Sequence, residues 1–76
     1  MDEYLDRIYN EAFDREYNNL MLRKATDQEF TKEYLEGLLQ SLYIQQGNNY
    51  ADRAEGKENA LRAMIAAAEM ILIEWE

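Results

Sequence analysis

Apolar residues recur at intervals of three and four almost from the start of the chain. They fall at Tyr4, Leu5, Ile8, Tyr9, Ala12, Phe13, Tyr17, Leu20 and Met21, the spacing of one face of an α-helix. This predicts a first helix over about residues 2–23. Asp2 and Glu3 then sit at the positive end of the helix dipole, with Arg23 and Lys24 at the negative end. Thr26 followed by Glu29 has the form of a capping box, in which hydroxyl and carboxylate each accept an orphaned backbone N–H. A second helix is expected over about residues 27–46, turning Phe30, Tyr34, Leu35, Leu38, Leu39 and Leu42 toward the core. Gly37 inside it costs about 1 kcal/mol relative to alanine, and either a close helix crossing or simple tolerance would account for it. Gly47 suits a left-handed C-terminal cap, and Asn48 or Asn49 can cap the next helix.

The third segment differs in kind. From Ala60 to Trp75 it reads ALRAMIAAAEMILIEW. At 3.6 residues per turn, Tyr50, Ala54, Leu61, Ile65, Ala68, Leu72 and Trp75 form one stripe with Gly56 opposite it. The pattern stays in phase across that glycine, which predicts one rod over about residues 50–75, with room for a kink at Gly56. Ala63, Ala66, Ala67, Met70 and Ile73 form a second apolar face. A helix apolar on every side is normally buried on every side. Either the first two helices wrap around it, or a second chain covers the remainder. Trp75 needs cover, and Glu74 and Glu76 sit at the unfavourable end of the dipole. The expectation is an all-α, single domain over residues 1–76, a three-helix antiparallel bundle with a long apolar C-terminal helix. It associates into a homodimer, with Ala63, Ala66, Ala67, Met70, Ile73 and Trp75 at the interface.

Composition strengthens that expectation. A chain of 76 residues buries only about 60% of its unfolded surface, so stability is marginal without a disulfide, a metal or oligomerisation. There is no cysteine and no histidine. Disulfides and thiolate sites are therefore excluded, together with the commonest general base and metal ligand. Oligomerisation is the support that remains. Sixteen acidic residues against 8 basic give a net charge of −8, which repels phosphate backbones and anionic lipids. Direct nucleic-acid and membrane binding are not expected. Met1 leads straight into Asp2 and Glu3, unlike a secretory leader, and the apolar runs fall far short of the ~20 residues of a spanning helix. A soluble, cytoplasmic protein without a cofactor is expected. Disorder is not, because 47% of the residues are hydrophobic.

Candidate chemistry is sparse. Glu33 and Glu36, with Asp52 and Glu55 on the next helix, have the i, i+3 spacing by which some all-helical nucleotide pyrophosphatases hold Mg²⁺. At about 100° per residue, however, Glu33 and Glu36 point away from the core stripe, where a solvated acidic face is the simpler reading. Of the six tyrosines, Tyr4, Tyr9, Tyr17 and Tyr34 lie on or beside the stripes, while Tyr43 and Tyr50 flank the second turn and can pack on each other. No basic cluster accompanies them, so core packing accounts for the rings better than base stacking. Asp2, Glu3, Asp6, Glu11, Asp14, Glu33 and Glu36 could instead imitate a phosphate backbone and occupy the groove of a basic DNA-binding protein. Arg7, Arg15 and Lys32 interrupt that face. The favoured expectation is a non-catalytic protein-interaction or accessory module, with the acidic DNA-mimic inhibitor as the alternative.

The stretches Tyr34-Leu35-Glu36-Gly37-Leu38-Leu39 and Gln46-Gly47-Asn48-Asn49, followed by Ala66-Ala67-Ala68-Glu69 and Ile73-Glu74-Trp75, resemble small uncharacterised helical proteins encoded on bacterial mobile elements. The resemblance carries no function with it, and favours an accessory or inhibitor protein over a metabolic enzyme only slightly. It implies no site residue.

Overall fold

The computed structural model of the chain describes residues 3–47 and 55–75. Among these residues all regular structure is helical. Helix α1 spans Glu3–Thr26, α2 Lys32–Gly47 and α3 Glu55–Glu74.

The α1–α2 junction departs from the expected capping box. Helix α1 runs past Arg23 to Thr26, whose Oγ1 donates to the Leu22 carbonyl at 2.8 Å inside the last turn. Thr26 therefore caps nothing. Asp27 Oδ1 accepts the Glu29 N–H at 2.9 Å, an Asx turn that offers the backbone an alternative to helix. The N-cap of α2 is Thr31. Its Oγ1 accepts the Tyr34 N–H at 3.2 Å and its carbonyl accepts the Leu35 N–H at 3.0 Å, satisfying groups that a helix start would leave orphaned. Phe30 before the cap and Leu35 in the first turn are both buried in the core, the positions of a hydrophobic staple. Burial of Phe30 outside the helix sets where α2 begins.

The glycines also differ from expectation. Gly37 is exposed and a Cβ there would meet nothing within 4 Å, so among the described residues no helix crosses at it. Gly47 ends α2 without a left-handed φ. Helix α3 begins at Glu55, with Gly56 in its first turn, and a Cβ at Gly56 would lie 3.3 Å from Ile8 Cδ1; continuity of the rod across that glycine lies outside the described residues. Gly56 thus faces α1 instead of pointing away from the packed side. The expected start of the rod near Tyr50 and the caps at Asn48 and Asn49 lie outside the described residues.

The contacts fix the helix directions. Asn59 Nδ2 donates to the Leu5 carbonyl at 3.0 Å, and the Tyr17 hydroxyl donates to Glu74 at 3.1 Å. Helices α1 and α3 therefore run the same way. Phe30 packs near Trp75 with ring centroids 6.0 Å apart, while Tyr43 bonds Glu69, so α2 runs against both. Both outer helices pack on α3. Toward α2, α3 presents Leu61, Ile65, Ala68 and Ile71, which join Leu35, Leu39, Leu42, Phe30 and the α1 residue Leu20 in one buried cluster. Toward α1 it turns the row Gly56, Ala60, Ala63 and Ala67, spaced by four, three and four residues. Small residues there allow close backbone approach, and α1 contributes its own buried alanine, Ala12.

This arrangement explains most of the apolar excess of α3. The helix is apolar on two sides because it serves two neighbours, one through large side chains and one through alanines. At about 25 cal/mol per Å² of apolar surface removed from water, both packed sides of α3 contribute to stability, one through large side chains and the other through close approach of alanines.

Candidate interaction surface

The outer strip of α3, between the sides that meet α1 and α2, runs through Arg62, Ala66, Glu69 and Ile73. Their spacing of four, three and four puts them on one line along the helix, with Met70 beside it. Ile73 is 84% exposed and Met70 43%. Ala66, Glu69, Met70, Ile73 and Glu74 line a shallow apolar hollow of about 340 Å³.

The six residues expected at an interface divide accordingly. Ala63 and Ala67 are 0% exposed inside the chain's own fold, on the row that faces α1. Trp75 is half-buried, its ring near that of Phe30 with the Lys24 ammonium 4.8 Å from its centroid, a cation–π contact. Its cover comes from this chain. Met70 and Ile73 remain exposed, and Ala66 is half-buried beside them. The division follows from angle: Ala63 and Ala67 lie about 60° and 100° round the helix from Ala66, far enough to pass under α1. Arg62 and Glu69 escape a reading based on apolar residues alone, although their spacing from Ala66 and Ile73 marks the same strip.

Two tyrosines hold the rims of this surface. Tyr17 on α1 donates to Glu74 Oε1, and Tyr43 on α2 donates to Glu69 Oε2. Each phenol is pushed above the ordinary tyrosine value, first by its hydrogen bond to the carboxylate, then by burial and by the carboxylate's charge. The Glu74 carboxylate at the negative end of the α3 dipole is thereby given a donor. Further along, the Arg62 guanidinium donates to Asn59 Oδ1 at 3.4 Å.

The remaining candidates are dispersed. Glu3, Asp6, Glu11, Asp14, Glu33 and Glu36 are all exposed, on α1 and α2; Asp2 lies outside the described residues. Glu33 and Glu36 project to solvent, while Asp52 and the Glu55 side chain are not described. Among the described residues no group of three acids is placed to hold a metal ion, and no helix is long and apolar enough to cross a membrane. Tyr34, expected toward the core, is 47% exposed; it lies beside Arg23, whose guanidinium stands 5.0 Å from its ring centroid and 4.9 Å from that of Phe30. Tyr43 serves α3 through Glu69, and its expected packing on Tyr50 lies outside the described residues.

Compared with known proteins, the chain matches no family model, no curated protein and no solved structure. The class of protein is therefore read from its own geometry: a small helical domain whose central helix carries an apolar strip to the surface.

Proposed function

We propose that this chain is a non-catalytic protein-interaction module that self-associates through the outer face of α3. The observation that carries the reading is the exposure of Ile73, 84%, on a continuous strip with Ala66 and Met70. An isoleucine so exposed costs about 1.5–3 kcal/mol relative to a buried one, and a partner that covers it recovers that free energy. A single helix strip falls below the roughly 800 Å² per partner of a standard stable interface, so the association is weak and concentration-dependent.

Sedimentation equilibrium over a concentration series tests this. The natural sequence should show a dimer at high concentration, and Ile73→Glu should leave a monomer of unchanged helix content and thermal stability. Because Ile73 contributes little to the fold, loss of the dimer would report on the surface alone. A natural chain that stays monomeric throughout, or a dimer indifferent to Ile73→Glu, would refute the reading.

A further inference from the structure

The outer strip of α3 has a property that its apolar residues alone do not convey. Arg62 and Glu69 are two turns apart on one line, with Ala66 between them and Ile73 beyond. The strip therefore carries a cation at its N-terminal side and a carboxylate at its C-terminal side, centred near its smallest residue. Such a surface is self-complementary under a two-fold rotation that reverses the helix, because reversal brings each end of the strip over the other.

We propose that two copies of the chain pack α3 against α3 antiparallel, crossing at Ala66, with Arg62 of each copy paired to Glu69 of the other. This rests on the self-association proposed above and names its partner and direction. Ala66 meets its own symmetry mate, where a methyl group lets the helix backbones approach. The flanking Met70 and Ile73 lie over the neighbouring helix, and an unbranched methionine adapts to the irregular surface there. Glu69 arrives with Oε2 accepting the Tyr43 hydroxyl, which leaves Oε1 for Arg62. A parallel arrangement would set Arg62 beside Arg62 and Glu69 beside Glu69, and like charges juxtaposed at an interface select against it. The pairing thus supplies direction and partner choice, while the apolar strip supplies the attraction.

The test exchanges the charges. Arg62→Glu and Glu69→Arg are made separately, checked for unchanged melting, and examined by sedimentation alone, mixed one to one, and combined in one chain. Each single variant should self-associate about tenfold or more weakly than the natural sequence, since each sets like charges together twice. The mixture and the combined variant should return to within a few-fold of natural affinity. Glu69→Gln, which keeps an acceptor for Tyr43, should weaken association less than Glu69→Arg and serves if the latter melts early. Failure of both the mixture and the combined variant to recover would overturn the antiparallel pairing. With Ile73→Glu still abolishing the dimer, that result would leave self-association intact and remove only its direction. A natural chain that is monomeric yet binds a synthetic leucine–lysine amphipathic helix, with binding lost in Ile73→Glu, would overturn both in favour of a foreign basic helix.

Discussion

Thr31 and Thr26 show how one side chain's role depends on where its neighbours are buried. Both are threonines near the start of a hydrophobic run, and Thr26 carries the better local signature, with Glu29 three residues on. Thr31 nevertheless caps α2, because Phe30 is held in the core and the chain turns inward there. Thr31→Ala should lower stability by about 1 kcal/mol. Thr26→Ala, which removes a hydroxyl bonded back into its own helix, should be neutral or slightly stabilising. Paired urea unfolding curves measure the difference, and equal costs would restore Thr26 as a cap. Gly37 offers a second test at this scale. With nothing within 4 Å of its missing Cβ, Gly37→Ala should gain about 0.5–1 kcal/mol, read in the same experiment; a loss would mean that something covers it.

At the level of the helices, α3 is held from both sides by tyrosine–carboxylate bonds, Tyr17 to Glu74 and Tyr43 to Glu69. Both phenols titrate above their ordinary value in the folded chain. The folded state therefore retains protons that the unfolded state releases, and stability falls as pH rises through the interval. The contribution should be complete below the unfolded value of about 10 and disappear as the folded phenols ionise. The stability gap between the natural chain and a Tyr17→Phe, Tyr43→Phe double variant should be largest at neutral pH and narrow above pH of about 10. A gap constant through the alkaline range would show that the hydroxyls make no such bonds in solution. The three-helix plan itself was legible from the three-and-four spacing and the few breakers. The pairing of these tyrosines was not, since their partners lie on α3, remote in sequence.

The whole molecule is small enough that single core residues matter to its existence. Stabilities near 0.05–0.15 kcal/mol per residue give a domain of this length only about 4–11 kcal/mol. Leu35, fully buried between α2 and α3, should cost about 2–5 kcal/mol as Leu35→Ala. That substitution should remove a large share of the stability, visible by circular dichroism as helicity lost at a much lower urea concentration than in the natural chain. An unchanged urea midpoint would mean that Leu35 is not packed in the core of the folded chain. With α3 in the middle, burial of Ala63 and Ala67 under α1 removes them from any external surface, while Met70 and Ile73 stay exposed with Ala66 half-buried beside them.

Periodicity, composition and charge were sufficient for the helices, for most of the large residues of the α2–α3 core, and for the conclusion that α3 is too apolar for one buried face. Those properties are local, because each helix must present its own stripe wherever it packs. Which neighbour receives which stripe depends on angles between helices, and a wheel drawn for one helix contains no information about the next. Packing placed α1 on the alanine row, gave Trp75 its cover from Phe30 and Lys24, and moved the start of α2 to Lys32, behind the Thr31 cap. It also reduced the expected interface to a strip on which Arg62 and Glu69 stand beside the apolar residues.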